Sequence, residues 1–225
     1  MLQQTPVARV LPKYLEFIKK YPTWENLARA HKRALLQLWL GLGYNNRVVR
    51  LQRLAQLVVR THDGTLPRDE DSLLQLPGIG PYTLRAVKIF AWNEDTVCID
   101  TNIRRILLHE LDLDEKTKSR ELEVIARLCL PLGRSREWHN ALMDYGALVV
   151  TSKKSGIRPL SRQSSFSHSQ RYYRGQILRR ILTRKRESTT ALVLFFKDSP
   201  YDIRDIIHKL VLDGIVREKG ELLQI

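Results

Sequence analysis

The sequence predicts a mainly α protein in three parts. A helical part spans residues 1–151, a basic serine-rich linker spans 152–169, and a small domain of three helices and a hairpin spans 170–225. Three observations predict this. Apolar residues recur at helical spacing through the first 150 residues, without sustained period-two alternation. Basic residues concentrate in one block of 40 residues. In the last 55 residues, short helical patterns precede two apolar runs that flank Lys219-Gly220.

The elements follow in order. Val7–Lys20 carries Val10, Tyr14, Phe17 and Ile18 at helical spacing. Thr23 is an N-cap for residues 24–29, with Glu25 in the first turn. A helix over 35–40 is broken by Gly41-Leu42-Gly43, and Asn46 caps a long helix over 47–61. Asp71-Ser72 starts a short helix that stops at Leu76-Pro77-Gly78. Pro81 takes a first helical position and opens a helix over 82–92. Helices over 101–110, 118–130 and 135–151 complete this part. The tail reads as a basic helix, Gln170–Arg184, then helices over 191–196 and 201–212. The first of these is capped by Ser188-Thr189-Thr190, and the second opens at Ser199-Pro200 and is ended by Asp213-Gly214. Strands at 215–218 and 222–225 close a winged-helix-like outline.

The chain has 225 residues, with 38 Lys+Arg against 24 Asp+Glu, a net charge of +14. Such a surface seeks a polyanion, either nucleic acid or an anionic membrane face. Residues 1–150 hold 22 basic and 17 acidic side chains; residues 151–190 hold 11 and one; residues 191–225 hold 5 and 6. Most of the charge therefore lies in the middle block, where a tether can follow phosphates. Hydrophobic residues make up 43%, enough for a sizeable core. No apolar stretch is long enough to cross a bilayer, and no signal-peptide pattern opens the chain. Cys98 and Cys129 are the only cysteines, which suits a reducing cytosol and excludes a disulfide framework. A cytoplasmic protein is expected, nucleoid-associated if bacterial.

The sharpest local signal is Leu76-Pro77-Gly78-Ile79-Gly80-Pro81-Tyr82-Thr83. Two glycines in a tight turn followed at once by a helix present bare N–H groups at a positive helix end, which is an anion site. Read alone, the same pattern also fits an ordinary connection between helices.

This stretch resembles the hairpin of the helix-hairpin-helix DNA glycosylase superfamily. In that family a catalytic aspartate opens the next helix, and Val97-Cys98-Ile99-Asp100-Thr101-Asn102-Ile103-Arg104-Arg105 stands in that place. Met1-Leu2-Gln3-Gln4-Thr5, Leu38-Trp39-Leu40-Gly41-Leu42-Gly43-Tyr44 and Trp138-His139-Asn140-Ala141-Leu142-Met143-Asp144-Tyr145-Gly146-Ala147 are similar to the adenine DNA glycosylase (MutY-like) branch. The resemblance covers about residues 1–152, with its motifs in the family order.

The resemblance implies base excision repair by removal of adenine opposite 8-oxoguanine or guanine. The implied partner is double-stranded DNA with a mismatch or an oxidised guanine, bound by a monomer and without a membrane. A glycosylase flips its base and breaks an N-glycosidic bond. A carboxylate beside the anomeric carbon stabilises the positive charge that develops there. Asp100 is the candidate, and it is also a good N-cap on any helix. Tyr82 stands where bifunctional relatives carry a Schiff-base lysine, so a monofunctional enzyme is implied. Asn102 matches a residue that positions water or the aspartate. Gln4 matches a wedge into the duplex and Tyr44 a residue inserted beside the opposite base; Gln3 and Thr5 belong to the same minor-groove segment. Leu76, Gly78, Ile79, Gly80 and Thr83 form the DNA-binding hairpin, at whose backbone a monovalent cation is implied. Arg47, Arg50, Arg85, Lys88, Arg104 and Arg105 are candidate phosphate contacts.

Two departures from the family pattern stand out. The branch protonates its departing adenine with a glutamate two positions before the one matched by Met1, so either the reading frame starts upstream or the chemistry of this form is impaired. The family also ends this part with four cysteines holding an iron–sulfur cluster, whereas residues 151–157 contain none. No cofactor and no metal are therefore expected beyond the monovalent cation at the hairpin backbone. A glycosylase for another mispaired base, such as thymine opposite guanine, and a DNA-binding relative without activity are the alternatives.

Overall fold

The computed structural model describes residues 1–2, 5–159 and 165–225. These form α1 (Val7–Lys20), α2 (Trp24–Ala28), α3 (Lys32–Trp39), α4 (Asn46–Thr61), α5 (Glu70–Gln75) and α6 (Pro81–Phe90). They continue with α7 (Thr101–Glu110), α8 (Ser119–Cys129), α9 (Ser135–Leu148) and α10 (Gln170–Arg184). The order ends β1 (Arg186–Ser188), α11 (Thr189–Phe195), α12 (Ile203–Leu212), β2 (Arg217–Lys219) and β3 (Leu222–Gln224). A mainly α chain with a terminal hairpin is what the patterning predicts.

Side-chain oxygens start several helices. Thr23 accepts from the Asn26 N–H, and Asp69, Ser169, Ser188 and Asp202 each cap their helix in the same way. Several starts differ from expectation. α3 begins at Lys32 rather than 35 and α11 at Thr189 rather than 191. Asn46 is the first residue of α4 rather than its cap, and Asn45 at the N-cap makes no side-chain cap bond. α5 begins one residue before Asp71 because Asp69 reaches the Ser72 N–H at 2.8 Å. α12 begins at Ile203 rather than 201 because Asp202, not Ser199, supplies the cap. Likewise α9 stops at Leu148, three residues short of the expected 151.

The chain packs as two units, Met1–Gly78 with Ser164–Ile225, and Ile79–Gln163. This grouping differs from the division at 151 and 170 drawn from charge and linker composition. Packing follows apolar faces instead. In the first unit Phe17, Leu35, Leu36, Trp39 and Val48 share one core with Tyr173, Ile177, Leu178, Ile181, Ile206, Leu210 and Leu223. Phe17 meets Trp39 edge-on at 6.3 Å. The tail helices thus cover the faces of α1, α3 and α4, and α10 buries five residues despite its basic composition. Arg180 and Arg184 pair with the buried Glu187 of β1 at 2.7 and 3.2 Å. β1 was not expected as a strand; it pairs antiparallel with β3, giving the sheet order β1-β3-β2.

The second unit has its own core of Val97, Ile103, Leu107, Leu108, Leu122 and Ala126, with Trp138, Leu142 and Ile157 packed against it. α7 and α9 lie close, and Gly146 makes this approach possible. A Cβ there would stand 3.0 Å from Ile106 Cδ1 and 3.3 Å from Arg105 Nη2. Among the described residues, no helix is long and apolar enough to cross a membrane.

Candidate active site

In the second unit Asp100 is the N-cap of α7. Its Oδ1 accepts from the Asn102 and Ile103 backbone N–H groups, both at 2.8 Å. Two N–H bonds on one oxygen fix the carboxylate and leave Oδ2 with a long contact to Asn102 Nδ2, 3.4 Å. A half-buried carboxylate held this way keeps one oxygen for a cationic centre. The capping geometry that fixes one oxygen is compatible with a second role for the other.

Asn102 is itself held. Its Oδ1 accepts from Arg105 Nη1 at 3.0 Å. Arg105 is buried and spends its other donors on α9 and the residues after it: Nε on the Val150 carbonyl at 2.8 Å, Nη2 on the Gly146 carbonyl at 3.0 Å. A guanidinium, with donors in a rigid fork, can hold three acceptors at once. Arg105 is therefore a positioning residue for Asn102 and, through it, for Asp100. As a candidate phosphate contact it is corrected: its charge faces the interior.

The segment before Asp100 is fixed from α9. The fully buried His139 accepts at Nε2 from the Cys98 N–H, 3.1 Å, and lies 2.7 Å from the Ser135 carbonyl through Nδ1. The network assigns the neutral tautomer with its proton on Nδ1. Burial holds this imidazole below its ordinary pKa, against smaller opposing effects of the Ser135 carbonyl and Asp100. Trp138 and Phe90 meet the ring edge-on at 4.8 and 6.2 Å.

Tyr82, in the first turn of α6, lies within electrostatic reach of Asp100. Burial, then the charges of Cys98 and Asp100, push its hydroxyl up to about 12. It stays a neutral donor throughout the physiological range. The neighbouring Cys98 thiol is buried, pushed up to about 11 by burial and Asp100, and donates to the Tyr82 carbonyl at 3.6 Å. A thiol held protonated in this way is no nucleophile. Cys129 is exposed on α8. Two such cysteines do not fit an iron–sulfur cluster, which needs four thiolates.

The hairpin follows α5. Leu76 and Ile79 are buried, so their side chains anchor the turn while its backbone faces outward. Gly78 has φ +89°, and a Cβ there would stand 3.3 Å from Arg50 Cβ, so the position requires glycine. Gly80 is the N-cap of α6 and Pro81 its first residue, which leaves the Tyr82 and Thr83 N–H groups at the helix start.

In the first unit Thr5 meets the turn that carries Tyr44. Thr5 Oγ1 donates to the Leu42 carbonyl at 3.2 Å, inside the Gly41–Tyr44 turn. Tyr44 is exposed at φ +46°, an uncommon conformation for a large residue. The Arg47 guanidinium lies 5.6 Å from the Trp39 ring centroid and 5.5 Å from that of Tyr44. Arg47 thus braces the presented tyrosine as a cation over its ring. Gln3 and Gln4 lie outside the described residues.

Three other expected phosphate contacts are engaged elsewhere. Arg104 is buried and donates through Nη2 to the Glu115 carbonyl at 2.6 Å, which corrects its assignment. Arg85 pairs with Glu123 and Lys88 with Glu94, both at 3.0 Å. Arg50 remains exposed. Sequence reasoning missed the bracing role of His139, although Trp138-His139-Asn140 lay inside a recognised motif; Arg105 was seen but given the wrong partner.

Comparison with known proteins agrees with this geometry. Residues 1–131 match the family HhH-GPD superfamily base excision DNA repair protein. The chain is 34% identical to the adenine DNA glycosylase of Mycolicibacterium smegmatis, over 98% of this chain and 83% of that protein. It is 35% identical to that of Mycobacterium tuberculosis, over 71% and 55%, and 37% identical to that of Homo sapiens, over 72% and 30%. The chain thus spans about half of the tuberculosis protein and under a third of the human one. Among solved structures it is similar to a thermostable thymine-DNA glycosylase, with TM-score 0.60 and 27% identity over 68% of this chain and 72% of that one. A trapped endonuclease III–DNA covalent intermediate shares the fold, with TM-score 0.59 and 22% identity over the same shares. A hairpin opening one helix and a carboxylate capping the next are thus found where the family pattern puts them: the chain belongs to the HhH-GPD superfamily of base excision DNA repair proteins, in its adenine DNA glycosylase branch.

Proposed function

We propose that this chain is a monofunctional adenine DNA glycosylase of base excision repair, acting on duplex DNA with adenine opposite 8-oxoguanine or guanine. The observation that carries the reading is the Asp100 carboxylate, whose Oδ1 is fixed by two helix N–H groups while Oδ2 keeps only a 3.4 Å contact to Asn102 Nδ2. The adenine N-glycosidic bond breaks with its electron pair leaving on the base. Asp100 stabilises the positive sugar, and water adds to the anomeric carbon and gives up a proton. Asn102, steered by Arg105, orients Asp100 or that water. The Tyr82 hydroxyl, neutral at working pH, donates toward the sugar. Tyr82 in place of an amine accounts for the absence of a Schiff-base step. The departing base takes up a proton as the adding water gives one up, so the step consumes one water overall. The chemistry runs without an iron–sulfur cluster. Tyr44, exposed on its turn, inserts beside the opposite base.

The likeness to a thymine-DNA glycosylase favours one second reading, removal of thymine opposite guanine. Incubating the chain, and the chain extended in frame upstream of Met1, with A:8-oxoguanine, A:G and T:G duplexes separates the two once abasic sites are cleaved with alkali. Adenine release is expected. Product from T:G alone would overturn the adenine reading.

A further inference from the structure

The middle of the first unit holds a group of like charges that no part of the glycosylase site uses. Lys32, at the start of α3, donates through Nζ to the Gly214 carbonyl at 2.9 Å. The Arg53 guanidinium, from α4, lies against Gly214 on the same turn. Arg217, the first residue of β2, is close enough that its charge and that of Arg53 add to the effect of burial in lowering the Lys32 ammonium pKa. Arg53 and Arg217 are exposed. Among the described residues, no ion pair joins any of these three cations to an acid.

The acids next to Gly214 and Arg217 in sequence have other partners. Asp213 pairs with Arg174 at 2.5 Å. Glu218 lies on the opposite face of the strand from Arg217 and meets the Thr189 hydroxyl at 3.5 Å. Three cations gathered without a counter-charge repel one another, a cost that an external anion removes. The cluster also continues a basic line. Arg50 sits one turn before Arg53 on α4, and its Cβ is the atom that confines Gly78 of the hairpin.

We propose that Lys32, Arg53 and Arg217 form a docking site for a backbone phosphate of duplex DNA, carrying contact from the hairpin along α4 to the β2–β3 wing. The occupant is a phosphodiester rather than a base edge. Three cations gathered at one turn match a backbone, and among the described residues no exposed aromatic ring is recorded with them to stack a base. This rests on the reading of the chain as a duplex-DNA glycosylase. The wing then has a defined part in the complex, and the tail does more than complete a core.

The test uses the full chain and an undamaged fluorescent duplex, with anisotropy measured across a salt series. The double variant Arg53→Glu, Arg217→Glu is expected to raise Kd about tenfold and to lower the log–log salt slope by about 1 to 2. Both residues are exposed, so the fold is expected to survive, and an unchanged Tm checks this. A control, Lys116→Glu, Arg120→Glu, makes the same change of net charge on exposed positions before and in the first turn of α8. Equal losses in the control and the test variant would overturn the site in favour of net charge alone. An unchanged Kd and slope in the test variant, with wild-type binding intact, would overturn the docking site and leave the glycosylase reading standing. A wild type that binds no duplex would overturn both.

Discussion

Arg105 Nη1 donates to Asn102 Oδ1 at 3.0 Å, while the remaining donors of the same guanidinium hold the carbonyls of Gly146 and Val150. The position of the Asp100 carboxylate is thus referred to α9 through Asn102. Arg105→Lys keeps the charge but cannot hold three acceptors. It is expected to lower kcat about 10- to 100-fold with little change in KM for the duplex, the size of effect seen when groups that orient a reacting residue are lost. A KM effect with kcat intact would argue instead for a DNA contact.

Asp100→Asn separates the two roles of one side chain. Asn caps a helix about as well as Asp, so stability is expected to stay within about 0.5 kcal/mol by thermal unfolding. Base release is expected to fall by about 100- to 1000-fold or more, because the negative charge facing the sugar is gone. Duplex binding by anisotropy is expected to persist.

Tyr82 is expected to titrate near 12. An ultraviolet difference titration of wild type against Tyr82→Phe isolates its transition, which should be missing from the ordinary range near 10. If the hydroxyl donates one hydrogen bond in the reaction, Tyr82→Phe lowers the single-turnover rate by up to about tenfold.

His139 gives the second unit an acid sensitivity. Its folded pKa lies below that of the unfolded chain, so the unfolded chain takes up a proton first as pH falls. The stability tied to the neutral ring is full above about pH 6.5. It declines as pH drops below that value toward the folded pKa, by at most about 1.4 kcal/mol per pH unit. Thermal unfolding between pH 7.5 and 5 is expected to show this slope in wild type and to lose it in His139→Gln. An identical slope in the variant would place the sensitivity elsewhere.

Ile181 tests whether the tail is integral to the first unit. It is fully buried in the core shared by α1, α3, α4 and α10. Ile181→Ala is expected to cost about 2–5 kcal/mol. Exchange of amide hydrogens in α3 and α4 is expected to accelerate together with that in α10, and protection that stays high in α3 and α4 would mean the tail folds independently.

Much of this was legible in the chain. Asp100 before Thr101-Asn102-Ile103 is a cap in any context, and the hairpin glycines announce a turn before a helix. Gln170–Arg184 emerged with the expected bounds because its capping Ser169 and its apolar positions agree. Arg104 and Arg105 were not legible. Two consecutive arginines in a basic chain read as surface, and only the carbonyls of Glu115, Gly146 and Val150, distant in sequence, draw them inward. The place of the tail was hidden for a similar reason. Charge blocks and serines mark where a chain is solvated, but which apolar faces meet is set by contacts more than 100 residues apart, such as Arg33 with the Leu182 carbonyl.

The route of the chain has a consequence for synthesis. It leaves the first unit at Gly78 and re-enters it at Ser164, so the second unit is continuous and the first is interrupted. Residues 79–163 can collapse on short loops as soon as they leave the ribosome, since loop closure between near neighbours is fast and costs little entropy. The opening helices must wait, with Leu35, Leu36 and Trp39 uncovered, until α10 and α12 have been made. A nascent chain halted before residue 170 therefore exposes an apolar surface that invites chaperones or aggregation, although the glycosylase motifs themselves are already complete.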